Sequence, residues 1–228
     1  MLDEMTSREF LAARGIRFNE TVVVRSAEEV DAAVSDIGLP VAMKIVSPDI
    51  VHKSDAGCVI VGIDSEASAR AAFDSIMGRA LEETSPDRIH GVSVQEMVTG
   101  IGEAFVGGRW TPEFGPIVMV GLGGVMVELF GDVSMRLCPV DEGEVSRMLE
   151  ELESIELLRG FRGRPVGDVE AFLQLAVTVS EIMAAGEVDE LDLNPVMVLP
   201  EGSGVVAVDA RVALREAALS APDGAGSR

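Results

Sequence analysis

Residues 41–63 read VAMKIVSPDIVHKSDAGCVIVGI, an apolar segment, a polar loop and a second apolar segment. The β-branched residues on both sides of the loop predict a strand–loop–strand unit. The first strand carries Lys44, and the loop offers hydroxyl groups, His52 and Lys53. Such a loop can fold over an anionic ligand such as a polyphosphate, with lysine as a point charge on the oxygens.

Lysine is nearly absent from the rest of the chain. Lys44 and Lys53 are the only lysines among the 18 basic residues. A site that needs a compact ammonium charge would explain why both lie in this stretch, although chance is the alternative. His52 could serve as a general base or accept a phosphoryl group, because imidazole is close to neutrality at pH 7. A solvated loop with an incidental histidine remains the alternative.

The chain is strongly acidic, with 39 Asp and Glu residues and a formal net charge of -21. Such a surface repels phosphates and anionic lipids, which argues against nucleic acid and membrane as partners. The 47% hydrophobic and 25% charged residues are typical of a soluble globular protein. The chain has no signal-peptide core, no apolar run of membrane-spanning length, and two cysteines that fit buried free thiols. We therefore expect a cytoplasmic protein.

Helix and strand patterns alternate in two groups, which predicts an α+β protein with two lobes. Helices are expected over 6–14, 27–37, 65–83, 141–151 and 169–185. Strands are expected over 21–25, 41–46, 58–63, 91–97, 103–107, 116–120, 125–130, 134–139, 187–193 and 205–208, with a turn at 109–112. The expected divisions are an N-terminal helical segment (1–20), two lobes (21–98 and 99–216) and a flexible polar tail (217–228).

A second group of polar residues lies near the C-terminus, where ELDLNP at 190–195 is followed by Asp209. Alternation along a strand places Asp192 and Asn194 on one face, which Asp209 on a neighbouring strand can reach. Two carboxylates and an amide oxygen are hard ligands, suited to a Mg2+ that bridges nucleotide phosphates. An asparagine before Pro195 also fits an ordinary turn at the end of a strand, so both interpretations stay open.

Glycines at 121–124, in the sequence GLGG, lie between two apolar segments. They permit close approach of the backbone to a ligand, although a tight hairpin is the alternative. Glu96 and Glu103 flank the expected lobe boundary, where a ligand cleft would lie. The sequence has no Ser-His-Asp arrangement, Walker-type loop or dinucleotide-binding fingerprint in the required context.

Four segments in order carry a family resemblance: KIVSPDIVHKSDAG, PEFGPIVMVGLGGVMVEL, LLRGFRGRP and ELDLNPVMV. Together they resemble the ATP-grasp β component of NDP-forming acyl-CoA synthetases. This group includes ADP-forming acetyl-CoA synthetase and is related to succinyl-CoA synthetase. The resemblance spans roughly residues 3–215. It implies an ATP-grasp fold, in which two α+β lobes with mixed or antiparallel sheets and flanking helices grip a nucleotide.

The resemblance also implies roles for single residues. Lys44 would contact the nucleotide phosphates, and the strand over 94–98 would form the adenine hinge, with Glu96 near the base. Glu103 would lie beside the ribose or Lys44. The other implied nucleotide-binding residues are Lys53, Met97, Val98, Gly123 and Gly124.

Asn194 and Asp209 match the magnesium ligands of the family, with Asp192 beside them. His52 matches a histidine on a mobile loop that can take a phosphoryl group. Mg2+ and Lys44 would offset charge on that group during transfer. The implied reaction is acyl-CoA + ADP + phosphate ⇌ acid + ATP + CoA, through an acyl phosphate and a phosphohistidine. The implied cofactors are ATP or ADP and Mg2+.

The resemblance leaves out the CoA-binding half of these enzymes. It therefore implies either a β subunit that needs a CoA-binding α subunit, in the family as an α2β2 heterotetramer, or one segment of a longer fusion. Two departures stand out: Cys58, where a second glycine is usual, and Trp110-Thr111, where an Arg-Asp pair is common. The alternatives are a non-catalytic nucleotide-binding regulatory module and another ATP-grasp ligase that joins a carboxylate to an amine. The acid substrate and the choice between ATP and GTP stay open.

Overall fold

The computed structural model describes residues 1–50, 53–123, 131–163 and 165–215. Outside the described residues lie His52, Gly124, the strand predicted over 125–130 and the tail predicted over 217–228. The chain divides into two compact units. The smaller is Asn19–Val98, and the larger combines Met1–Phe18 with Thr99–Arg228. Residues 1–18 thus belong to the same unit as the second half of the chain.

The described residues form five α-helices and ten strands. The helices are α1 Glu4–Ala12, α2 Ala27–Ile37, α3 Glu66–Glu83, α4 Glu142–Glu150 and α5 Val169–Ala184. The first five strands are β1 Thr21–Val24, β2 Val41–Val46, β3 Val59–Ile63, β4 Gly91–Glu96 and β5 Gly102–Thr111. The others are β6 Gly115–Leu122, β7 Val133–Leu137, β8 Val188–Val198, β9 Val205–Ala207 and β10 Ala210–Leu214. No helix in this described part is both long enough and apolar enough to cross a membrane.

The smaller unit is an antiparallel sheet in the order β1-β4-β2-β3, packed with α2 and α3. β2 lies between β4 and β3, and all six of its residues are buried. Met43 and Ile45 on β2 join Ile76 of α3 in the core. Burial of such apolar side chains is the main force that holds a small unit together. Lys44 lies on the same strand and is buried with it.

The larger unit is an antiparallel sheet in the order β10-β8-β5-β6-β7, with β9 paired to β8. Helix α5 contacts β5, β6 and β8. Its buried residues Phe172, Ala176, Val179 and Met183 recur at intervals of three or four, which is the spacing of one helix face. Asp168 caps this helix, because its Oδ1 accepts a hydrogen bond from the Ala171 N–H at 3.0 Å.

Two expectations about strands in the larger unit are wrong. β5 continues through Thr111, so the turn lies after the predicted 109–112. The Thr111 hydroxyl forms this turn by donating to the Gly115 carbonyl at 3.1 Å and accepting from the Phe114 N–H at 3.2 Å. β8 runs five residues past its predicted end at Leu193, and β10 is an additional strand.

Trp110 contacts an arginine of the same unit. The Arg215 guanidinium lies 3.7 Å from the centre of the Trp110 ring, a cation–π contact within the larger unit.

Both cysteines are free thiols, as expected, but only Cys58 is buried and Cys138 is partly exposed. Desolvation still raises the pKa of the Cys138 thiol to about 11.

An ion pair fixes the start of the loop after β2. Asp49 accepts two hydrogen bonds from the Arg88 guanidinium, at 3.0 and 2.7 Å, and one from the Thr84 hydroxyl at 2.7 Å. These donors, Arg88 first, lower the pKa of Asp49 to about 2. A lowered carboxyl pKa stabilises the fold above the ordinary value of 3.8, and this contribution is lost as the pH falls towards about 2.

Replacing Arg88 with methionine should therefore lower the free energy of unfolding at pH 7. The difference from wild type should shrink at pH 3, because Asp49 of the unfolded chain, with the ordinary pKa of 3.8, is then mostly protonated, so part of the stabilisation by the lowered pKa is already lost. Urea unfolding at both pH values measures it, with Arg25→Met as a control at an exposed arginine of the same unit. An equal difference at pH 7 and pH 3 would contradict this role of the pair.

The core of the larger unit allows a matched pair of phenylalanine substitutions. Phe172 is 0% exposed and Phe114 is 72% exposed. Phe172→Ala should cost about 3–5 kcal/mol of unfolding free energy, because it removes buried contacts and leaves a cavity. Phe114→Ala should cost less than about 0.5 kcal/mol. Fluorescence of Trp110, the single tryptophan, reports unfolding of this unit. Similar losses in the two variants would place Phe172 outside the core.

Candidate functional site

Lys44 lies in the middle of the small sheet and is only 9% exposed. It pairs in register with Ser93 on β4 and with Val59 on β3. The Ser93 hydroxyl donates to the Lys44 carbonyl at 3.2 Å and accepts from the Gln95 amide at 3.3 Å. Burying an ammonium group is costly unless an anion or polar partners compensate for the lost water. An anionic ligand is one group that would provide this compensation.

The described end of the loop after β2 is a tight turn. The Gly57 N–H donates to the Ser54 carbonyl at 3.0 Å, and the Cys58 N–H donates to the Lys53 carbonyl at 2.7 Å. Gly57 has a φ of 64°, and a side chain there would collide with the Arg79 guanidinium, which donates to its carbonyl at 2.5 Å. This turn fixes the partly exposed Lys53. His52, its neighbour, lies outside the described residues.

Cys58 replaces a glycine that is usual in the resembling family, and its side chain is 0% exposed. The thiol lies 3.6 Å from the Ala56 carbonyl oxygen. Desolvation raises its pKa. The extra side chain therefore packs into the apolar core of the smaller unit.

The end of β4 is joined to residues 19–20. The Glu96 N–H donates to the Glu20 carbonyl at 2.9 Å, and the Asn19 side-chain amide donates to the Glu96 carbonyl at 2.8 Å. One oxygen of the Glu96 carboxylate also accepts from the Glu20 N–H at 3.2 Å. These contacts hold the backbone just before Met97 and Val98.

Glu103 and Gly123 are neighbours in the larger unit. The Gly123 N–H donates to the Glu103 carbonyl at 2.7 Å. A Cβ atom at Gly123 would lie 3.3 Å from the Glu103 Cβ, closer than most such contacts. Because Gly123 has no side chain, the residue after β6 can approach β5 closely at Glu103, whose carboxylate is exposed. Gly124 lies outside the described residues.

Acidic side chains gather where β8 faces β10. Asp192 pairs in register with Arg211 on β10 and with Gly107 on β5. Desolvation raises the pKa of Asp192, and the charges of Asp209 and Glu190 act in the same direction, whereas Arg211 opposes them. A cation at this position would relieve the repulsion among the three carboxylates.

Asn194 lies two residues further along the same strand. Leu191 and Leu193 are buried, whereas Asp192 and Asn194 are not, so the two polar residues share one side of β8. Asp209 follows β9, and its Oδ1 accepts from the Ala210 N–H at 2.9 Å. A backbone hydrogen bond from the Val208 N–H to the Pro195 carbonyl, 2.9 Å long, joins the two segments.

The donor set fits a magnesium ion that keeps other ligands. No three His, Cys, Asp or Glu side chains in the described ranges come together as a metal site. The protein offers the carboxylates of Asp192 and Asp209 and the amide oxygen of Asn194, all hard donors. Mg2+ is commonly held by one or two carboxylates, with water and phosphate oxygens completing its shell.

The predicted residues divide between the two units. Lys44, Lys53 and 96–98 belong to the smaller unit, and Glu103, Gly123 and the metal-ligand candidates belong to the larger one. Sequence reasoning missed Arg8, Arg79 and Arg211, which contact the site segments. The registry of β8 and β10 brings Arg211 beside Asp192, but β10 was not predicted. No local sequence pattern marks Arg8 as a site residue, because its hydrogen-bond partner Val208 lies 200 residues away in the sequence.

Comparisons with known proteins agree with this architecture. Residues 1–214 match the family described as ATP-grasp domain. The chain is 38% identical over 214 residues to the β subunit of acetate–CoA ligase [ADP-forming] I of Pyrococcus furiosus, covering 93% of this chain and 91% of that subunit. It is 36% identical to 4-hydroxybutyrate–CoA ligase [ADP-forming] of Nitrosopumilus maritimus, over 92% of this chain. It spans 30% of the length of that relative, and 30% of acetate–CoA ligase [ADP-forming] I of Archaeoglobus fulgidus.

Solved structures give the same result. Dinucleotide-forming acetyl-coenzyme A synthetase 1 of Ca. Korarchaeum cryptofilum, in complex with coenzyme A, Ca-AMPCP and HgCl+, superposes with a TM-score of 0.87 at 40% identity. That alignment covers 94% of this chain and 93% of the other. PH1788 of Pyrococcus horikoshii gives a TM-score of 0.86 at 33% identity, over 94% and 91% of the two chains. The chain therefore belongs to the ATP-grasp family and is a homologue of the β subunits of ADP-forming acetate–CoA ligases.

Proposed function

We propose that this chain is the nucleotide-binding part of an ADP-forming acid–CoA ligase. The enzyme interconverts acyl-CoA, ADP and phosphate with the acid, ATP and CoA. The observation that carries the proposal is the set of hard donors at Asn194 and Asp209, joined through Val208 and Pro195. It occurs in a chain homologous to such β subunits over almost their whole length.

Nucleotide binding is assigned to both sets of residues. Lys44 and Lys53 bind the phosphates as point charges, and the backbone of Met97 and Val98, beside Glu96, binds the base. Glu103, Gly123 and Gly124 complete the nucleotide contacts. In one related structure, acetyl-coenzyme A synthetase 1 of Ca. Korarchaeum cryptofilum is in complex with coenzyme A and Mg-AMPPCP, which supports ATP or ADP with Mg2+ as the cofactors here.

Asn194 and Asp209, with Asp192 beside them, are the residues that would hold the magnesium ion. When bound, the ion neutralises phosphate charge during phosphoryl transfer. Arg211 offsets part of the acidic charge around Asp192 before the nucleotide arrives. The protein's own contribution is therefore to orient the phosphates through Lys44 and to keep these oxygen donors in place.

His52 is assigned the role of phosphoryl carrier. Phosphate displaces CoA from acyl-CoA and forms an acyl phosphate. A nitrogen of His52 then takes the phosphoryl group and releases the acid, and ADP accepts that group from the phosphohistidine to form ATP. The same related protein has a phosphohistidine segment that points towards the nucleotide-binding site in its Mg-AMPPCP complex, which supports this assignment.

A CoA-binding α subunit, or an equivalent part of a longer chain, is the proposed partner. The chain spans 91% of a separate β subunit but only 30% of two related ligases. CoA binding and selection of the acid are therefore assigned to the remainder of the enzyme. An α2β2 assembly in the cytoplasm, where nucleotides and CoA are available, completes the proposal.

Calorimetry of ADP with Mg2+ tests the nucleotide site. Lys44→Met and Asp209→Asn should each weaken binding about 10–100-fold, because each removes a charged contact worth roughly 1.5–3 kcal/mol. Asp189→Asn is the matched control, an exposed aspartate on the same β8 strand. Unchanged affinity in Lys44→Met and Asp209→Asn would contradict the site, as would an equal loss in the Asp189 control.

The phosphoryl carrier can be tested by histidine substitution, because His52 and His90 are the only two histidines. Incubation with γ-labelled ATP and Mg2+ should label the wild type and His90→Ala with an acid-labile, alkali-stable phosphate, and should leave His52→Ala unlabelled. Equal labelling of His52→Ala would exclude His52 as the carrier. Nucleotide binding with no labelling of any variant would favour a regulatory module instead.

A further inference from the structure

The N-terminal segment packs against the strands that carry Asp209. The Leu2 N–H donates to the Val212 carbonyl of β10 at 2.8 Å, and the Ala207 N–H of β9 donates to the Arg17 carbonyl at 2.9 Å. Phe18 forms an isolated parallel bridge with Ala207. Residues 1–18 are therefore bound to both sides of the connection between β9 and β10.

Arg8 is the charged residue of α1 at the centre of this contact. It is only 5% exposed, and its guanidinium Nη1 donates to the Val208 carbonyl at 2.9 Å. The guanidinium also lies 4.8 Å from the centre of the Phe18 ring. A buried arginine is costly unless its donors are used, so the position of this side chain is tightly defined by its surroundings.

Val208 links Arg8 to both principal candidates for metal ligation. Its carbonyl accepts from Arg8, and its N–H donates to the Pro195 carbonyl at 2.9 Å. Asn194 directly precedes Pro195, and Asp209 directly follows Val208. One short chain of hydrogen bonds therefore runs from Arg8 to the backbone beside each ligand.

We propose that Arg8 is a positioning residue that holds Asn194 and Asp209 at the separation needed to share one magnesium ion. This inference rests on the proposed function, since it concerns the same metal. Helix α1 thereby holds, through Arg8 and Val208, the backbone next to both metal ligands. The acidic charges of Glu4 and Asp209 near Arg8 agree with this placement, since both raise its pKa against the lowering caused by desolvation.

Arg8→Met tests the proposal, because methionine fills similar space without donors. Arg8→Lys keeps the charge but loses the planar fork, so it should have an intermediate effect. Arg14→Met is the matched control, because Arg14 lies in the same segment, stacks on Phe10 and pairs with Glu187. Circular dichroism first establishes that each variant is folded.

The first readout is Mn2+ binding in the presence of ADP, followed by electron paramagnetic resonance. Arg8→Met should weaken Mn2+ binding about 10–100-fold, the usual cost of losing a group that orients metal ligands. ADP affinity in EDTA should stay unchanged, which a general loss of structure would not allow. Wild-type Mn2+ affinity in Arg8→Met, or the same loss in Arg14→Met, would overturn the proposal.

The second readout needs neither metal nor nucleotide. Asn19 and Asn194 are the only asparagines, so selective 15N labelling of asparagine gives two side-chain amide pairs, one of them from Asn194. Arg8→Met should shift the Asn194 amide signals, whereas Arg14→Met should leave them in place. An unmoved Asn194 signal would overturn the positioning role. Failure of the wild type to bind Mn2+ with ADP, together with a shifted Asn194, would instead overturn the proposed function.

Discussion

The larger unit depends on how one proline is accommodated inside a sheet. Pro195 lies within β8, which pairs with β5, β9 and β10, and proline has no N–H for the ladder. The register between β5 and β8 shifts between Ala104 and Val106, so the ladder is interrupted opposite Asn194 and Pro195. The Pro195 carbonyl is used by the Val208 N–H at 2.9 Å. The irregularity that the proline requires is therefore also what places Asn194 beside the segment that carries Asp209.

The same physical logic accounts for the distribution of charge. The chain carries a net charge of -21. Several of its basic side chains nevertheless lie next to aspartates of the candidate site or of the loop after β2. Arg211 pairs in register with Asp192, and Arg8 lies close enough to Asp209 for their charges to interact. Arg88 fixes Asp49 at the start of the loop that leads to His52. Lys44 is the buried cation of the smaller sheet.

Local sequence patterns predicted the helices and strands whose apolar residues recur at regular intervals, such as β2 and α5. The apolar run around Lys44 is a buried strand because β-branched residues on a central strand are covered on both faces. The expected strand ends were wrong where contacts between residues far apart in the sequence determine the structure. Pro195 suggested the end of a strand, whereas three neighbouring strands keep it in the sheet. The extension of β5 past Trp110 depends on pairing with β6, and the role of Arg8 depends on a hydrogen bond across 200 residues. No local pattern contains those partners.

A crystal structure of the chain with Mn2+ and AMPPCP, with the manganese located by its anomalous scattering, tests the central claim most directly. The nucleotide-site assignment predicts an anomalous peak bound by the Asp209 carboxylate, the Asn194 amide oxygen and phosphate oxygens, at the roughly 2.0–2.2 Å typical of small divalent cations. It also predicts a phosphate oxygen in contact with the Lys44 ammonium group. A metal ion held by the phosphates alone, or by other side chains, would contradict it.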